Sequence, residues 1–119
     1  MWIEDKNNPT KMTMVEGDYG IVNPIEIETD ETISSSECFE ISIYKKINTN
    51  PLVIKTYSNI QNKTINFSLT AAESALLPVG SYLYDINWYQ GSSFLSCIAA
   101  KQKFMVVEKA GVVSDDDED

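Results

Sequence analysis

From Met12 onward the chain is written in short runs of alternating apolar and polar residues, each closed by turn formers, and that two-residue rhythm restricts it to β structure. The cleanest run sets Phe39, Ile41 and Ile43 against Glu40, Ser42 and Tyr44, the pattern of a strand with one buried face. Eight runs are predicted as strands: Lys11 to Glu16, Tyr19 to Glu28, Phe39 to Tyr44, Leu52 to Tyr57, Thr64 to Leu69, Ser81 to Gln90, Phe94 to Ala99 and Lys103 to Lys109. Gly17-Asp18 separates the first two, and Pro24 places the start of the second at an edge or a bulge because it has no N–H to give to a ladder. Ile47-Asn48-Thr49-Asn50-Pro51, Asn59 to Lys63 and Gly91-Ser92 read as turns, the last as a hairpin turn.

One stretch breaks the rhythm. Thr70 followed by Glu73 fits a capping box, so Ala71 to Leu77 is predicted to be a short helix closed by Pro78. With 119 residues, one modest core is feasible, and the expected fold class is an all-β antiparallel sandwich of about seven to nine strands with one helical crossover near 70–77. Residues 12–110 form the sandwich in this reading. Residues 1–11, with Pro9 and an outward-looking Trp2 and Ile3, read as an N-terminal arm, and residues 111–119 as an acidic, flexible tail.

Net charge is −9, but Asp115, Asp116, Asp117, Glu118 and Asp119 supply five of those charges and leave about −4 on the body. All nine cations are lysines, which removes the residue best suited to bidentate phosphate or base-edge contacts and disfavours direct nucleic-acid binding. No run approaches the ~20 apolar residues of a membrane-spanning helix, and the first residues lack the basic and apolar segments of a secretory signal, so the expectation is a soluble protein made in the cytosol. Cys38 and Cys97 are far enough apart in sequence to meet across a sandwich, whereas a cytosolic origin favours free thiols. The two glycosylation sequons, at Asn62 and Asn66, are read as turn and strand residues.

The absence of histidine excludes Ser-His-Asp and Cys-His catalysis and any imidazole metal site. Two cysteines alone cannot complete a zinc site, and the isolated glycines build no phosphate-cradling loop. Asp18, Glu40, Glu73 and Asp85 remain as acid–base groups, yet a turn, solvation and capping account for the first three. No catalytic residue, metal or cofactor is assigned. Trp2, Tyr44, Tyr57, Tyr89 and Phe94, if outward, invite a carbohydrate- or partner-binding reading, against which stands the plainer one that scattered aromatics are strand formers.

The most informative segment is Leu77 to Ile86, where a helical crossover, Gly80 and then Tyr82 match the tyrosine corner of immunoglobulin-like domains. Tyr82 would bond backbone upstream, while Tyr84 stands where antibody domains carry a cysteine, and Tyr82, Tyr84, Ile86 and Trp88 share one face. Gly17-Asp18-Tyr19-Gly20 ahead of Pro24-Ile25-Glu26-Ile27, and Gly80-Ser81-Tyr82-Leu83-Tyr84-Asp85, carry a narrower likeness. From about Met14 to Glu108 the chain resembles the immunoglobulin-like structural domains of tailed phages, including the N-terminal domain of upper baseplate proteins. Gly17, Asp18, Gly20, Gly80, Tyr82, Tyr84 and Trp88 are the fold-defining residues in that comparison. Baseplate proteins continue into further domains, whereas a module of this size is more similar to capsid decoration or cement proteins.

That resemblance implies a non-enzymatic virion protein, made in the host cytoplasm, that binds the major capsid protein or other virion structural proteins, with self-association in the particle left open. Direct nucleic acid, membrane and cofactors are not among its expected partners. Trp2, Ile3 and Pro9 are the expected contact residues. A tail, baseplate or head-fibre adaptor is the alternative, a carbohydrate-binding module a more distant one, and an enzyme the least supported.

Overall fold

The alternating runs become strands in a computed structural model that describes residues 2–3, 10–47 and 49–108. In chain order these are β1 (Met12–Val15), β2 (Asn23–Glu26), β3 (Glu37–Tyr44), β4 (Val53–Ser58) and β5 (Thr64–Phe67), then α1 (Ala71–Ala75), β6 (Gly80–Gln90) and β7 (Ser93–Val107). A five-stranded sheet has the order β1-β7-β6-β3-β4, and β2 pairs with β5 in a second, two-stranded sheet. The fold is therefore an all-β, sandwich-like one.

Burial follows the alternation. Phe39, Ile41 and Ile43 of β3 and Tyr82, Tyr84, Ile86 and Trp88 of β6 point into the core with Phe104 and Val106 of β7, against Ile65 and Phe67 of β5. Phe39 and Trp88 are directly opposed across the β3–β6 pair and stack with their ring centroids 5.5 Å apart. Full burial of such side chains stabilises by about 1.5–3 kcal/mol each, so this single face supplies most of the apolar driving force.

The helical crossover carries its own start signal. Thr70 accepts from the backbone N–H of Glu73, and the Glu73 carboxylate accepts from the backbone N–H of Thr70, completing the capping box. The helix ends at Ala75, two residues short of the expected limit, and leads to Pro78. There the hydroxyl of Tyr82 donates to the carbonyl of Pro78 at 2.5 Å, which is the upstream bond expected of a tyrosine corner. Lys55 of the edge strand β4 points inward and donates to the carbonyl of Ser68 and to Glu73, the latter at 2.9 Å. An inward charge on an edge strand locks β4 to the crossover.

Three expectations change. The large sheet is mixed, because β1 runs parallel to β7 with Met12 opposite Phe104. The second predicted strand is cut to Asn23–Glu26, since Gly17 and Gly20 adopt positive φ (83° and 76°) and hold Tyr19 to Val22 in a loop. The last two predicted strands are one, β7, interrupted by bulges. Between Tyr84 and Tyr89 β6 advances five residues while β7 advances eight, from Gln102 back to Phe94. Lys101, at φ 55°, lies among the three extra residues, and its N–H is taken by the Asp85 carboxylate at 2.7 Å. Bulges leave the hydrophobic runs on either side out of phase, which reads in sequence as a gap between strands.

Two measurements test this account. Tyr82→Phe keeps the ring and removes only the hydroxyl, leaving the Pro78 carbonyl without its donor, and is expected to lower stability by about 1–2 kcal/mol in urea denaturation. For Glu73, burial works against the charged form, but the Thr70 N–H and the Lys55 ammonium outweigh it and hold its pKa below the ordinary value of 4.5. A depressed carboxylate stabilises the fold above its unfolded pKa and stops doing so as pH falls through the folded one. Glu73→Gln is expected to flatten the decline of Tm below pH 4.5, read by thermal scans from pH 6 to 3.

Candidate functional site

Of the expected contact residues at the N-terminus, Trp2 and Ile3 are bonded to the sandwich. Trp2 is half-buried, its ring lying 5.5 Å from Phe67 of the small sheet and 5.8 Å from Phe104 of the large one, centroid to centroid. Its indole N–H donates to the carbonyl of Ile21 at 2.9 Å, while Trp2 bridges to Met14 and the Ile3 N–H bonds the Thr13 carbonyl. The reading of Trp2 as outward is thus corrected: it closes the gap between the two sheets beside β1, because an indole desolvated on two phenyl rings gains more than one left in water. Ile3 remains exposed. Pro9 lies outside the described residues.

Polar tips on the core face reach to neighbouring segments. The hydroxyl of Tyr84 donates to the Thr10 carbonyl, and burial pushes its pKa up to about 12. The indole N–H of Trp88 donates to Glu37 at 3.2 Å. Tyr44, expected outward, is buried, with its hydroxyl on Asp85 at 2.8 Å. Burial, followed by the Asp85 carboxylate, raises it to about 12. Asp85 thereby serves Tyr44 and Lys101 together, a structural use of a carboxylate that alternation alone does not reveal. Glu73 is the helix cap already described, and Glu40 sits on the outer sheet face opposite Asn87.

Cys38 and Cys97 are free thiols. Cys38 is on β3 and Cys97 on β7, with β6 between them, and two strand spacings come to roughly 10 Å, beyond the Cα separation of about 7 Å that a disulfide spans. Among the described residues no group of three or more Cys, Asp or Glu side chains gathers to hold a metal, and no helix is long and apolar enough to cross a membrane.

Two surface features could receive another molecule. An open cleft of about 900 Å3 runs between β2 and the β1–β7 edge, with Ile25, Tyr84, Ile86 and Ile98 on its floor and Glu26 and Lys11 at its rim. Its walls include Ile3 and Thr10, and the chain between them, residues 4–9, lies outside the described residues.

The second feature is an end of the sandwich. Strand directions place the β1–β2 loop, the β3–β4 loop and the α1 crossover at one end, and the β6–β7 hairpin at the other. Among the described residues, seven of the eleven exposed large hydrophobic side chains sit at the crossover end. Tyr19, Ile21 and Val22 come from the first loop, Ile47 and Leu52 from the second, and Leu76 and Val79 from the crossover. The loops are fastened to one another: the Gly20 N–H bonds the Leu69 carbonyl at 2.8 Å, and the Lys45 ammonium lies 4.5 Å from the centre of the Tyr82 ring. The opposite end exposes Phe94 and Leu95, with Phe94 edge-on to Tyr89.

Of the crossover-end residues only Ile47 falls in an expected turn; Tyr19, Ile21 and Val22 fall in the second expected strand, Leu52 in the fourth and Leu76 in the helix, so sequence alone gives no signal that they gather on loops.

Comparison with protein-family models, with curated proteins and with solved structures returns no match.

Removing the Trp2 ring tests its place in the fold. Trp2→Ala is expected to cost about 2–3 kcal/mol, below the range for a fully buried Trp because one face stays wet, and to appear as a lower urea midpoint with an unchanged slope. An unaltered midpoint would return Trp2 to the surface.

Proposed function

We propose that this chain is a non-enzymatic structural protein of a phage particle, a decoration or cement protein that docks on the major capsid protein. The observation that carries the docking half of this reading is the concentration of exposed apolar side chains at the crossover end. A solvated loop gains nothing from Ile21, Val22, Ile47 and Leu76, whereas an interface core is built from such residues with a polar rim. The Gly20–Leu69 backbone bond and the Lys45–Tyr82 contact hold the loops that present them, so less ordering is needed on association.

The phage setting rests on the sequence resemblance, from the Gly17-Asp18-Tyr19-Gly20 turn to the Gly80-Ser81-Tyr82-Leu83-Tyr84-Asp85 strand. The sandwich-like architecture with its tyrosine corner is compatible with it. So is the use of half-buried carboxylates and buried tyrosine hydroxyls, since Asp85, Glu73, Tyr82 and Tyr84 each hold the fold together. A tail or baseplate adaptor is the neighbouring reading and uses the same surface.

Electron cryomicroscopy of purified particles is the direct test. Density for this fold repeated over the shell is the expected result, density confined to the tail selects the adaptor, and absence from the particle ends the virion reading.

A further inference from the structure

Among the described residues, every edge of the two sheets but one carries a feature that hinders the addition of another strand. β1 is bridged by Trp2 at Met14, and the Ile3 N–H takes the Thr13 carbonyl. β2 carries Pro24, which has no N–H to offer a neighbour. The end of β5 is covered from β4, because Lys55 donates to the Ser68 carbonyl and the Tyr57 hydroxyl accepts from the Ser68 N–H. The part of β7 beyond β1 is bulged. The exception is β4, the last strand of the large sheet, which pairs with β3 from Val53 to Ser58 without a register shift. No hydrogen bond beyond those with β3 engages the backbone of Val53–Ser58 among the described residues.

We infer that β4 pairs with β4 of a second copy of this chain, antiparallel and about a two-fold axis, so that two five-stranded sheets join into one. The sequence of the strand fits its own copy. A two-fold axis perpendicular to the sheet keeps inner and outer faces aligned only when it passes through a residue, since a half-step sets outward side chains against inward ones. An axis at Lys55 would bring two ammonium groups together. An axis at Thr56 sets Thr56 against Thr56 of the second copy, Ile54 against Ser58 and Lys55 against Tyr57, with no like charges opposed. Outward-facing Ile54, Thr56 and Ser58 are uncharged and exposed, so nothing on that face repels the second strand. Lys55, the one charge on β4, lies 2.9 Å from Glu73, so no free ammonium guards the edge.

Because each copy uses the same edge, the assembly closes at two. A single strand pair covers less than the roughly 1,200 Å2 of a standard stable interface, so the dimer is weak, with a dissociation constant on the order of 100 µM, and fills where copies are crowded. This surface is separate from the crossover end, and the inference does not depend on the docking role proposed above.

The purified full-length protein tests it by sedimentation velocity at concentrations from well below to well above that constant. The wild type is expected to pass from monomer to dimer. Thr56→Lys puts like charges opposite each other at an exposed position and is expected to weaken dimerisation by about tenfold or more, with Tm confirming that the monomer is folded. Leu76→Asp, at the crossover end, is expected to leave the dimer unchanged. Amide exchange in residues 53–58 should slow as concentration rises, while exchange in residues 93–98 of β7 should not.

A chain that stays monomeric throughout overturns the self-pairing, and if Thr56→Lys then weakens attachment to a particle, the edge belongs to a strand of another protein. A dimer lost with Leu76→Asp and kept with Thr56→Lys overturns the choice of edge, as does a dimer whose β4 amides exchange at the monomer rate. No particle enters the measurements on the purified chain, so their outcome is distinguishable from failure of the virion reading.

Discussion

The inward row of β6 is the constraint on which the other elements depend. Tyr82, Tyr84, Ile86 and Trp88 alternate along the central strand of the large sheet, and three of the four carry a polar tip that cannot be buried alone. Each tip reaches a different segment: Tyr82 the crossover, Tyr84 the approach to β1, Trp88 the first residue of β3. The ring bodies supply the apolar energy, but any packing that buries them must also bring up these three partners, because an unpaired buried hydroxyl costs about 1–3 kcal/mol. One strand thereby specifies the placement of three neighbours, which a row of leucines would not do.

Much of this was legible in sequence because alternation is a local signal. The face of β3, the capping box at Thr70 and Glu73, the Gly91-Ser92 hairpin and the tyrosine corner at Tyr82 all follow from residues within a few positions of one another. What escaped is non-local. The parallel pairing of β1 with β7 joins opposite ends of the chain, and nothing near Met12 announces Phe104. The bulges of β7 arise from a mismatch in length against β6, which no reading of β7 alone detects. The role of Asp85, left in sequence as an unassigned carboxylate, depends on Tyr44 and Lys101 meeting it in space.

The same limit explains why the expected contact residues shifted. A Trp near a terminus, flanked by polar residues, has no sequence neighbour to bury it, and only the register of the two sheets shows that Phe67 and Phe104 leave a slot of its width. The crossover end was obscured differently. Its apolar residues are distributed over three loops that are 24 to 60 residues apart in sequence and gather only when the sandwich closes. Exposure, not composition, is what marks them, and exposure is a property of the assembled fold.

The bulges of β7 carry one more consequence. Beyond the four residues paired with β1, the outer edge of β7 has no strand beside it among the described residues, and it is the sort of edge on which identical chains stack into fibrils. Three extra residues within nine twist that edge and throw its amide spacing out of step with any straight copy. The bulged edge thus hinders straight strand addition through backbone geometry, a device that salt does not screen as it screens repulsion between surface carboxylates.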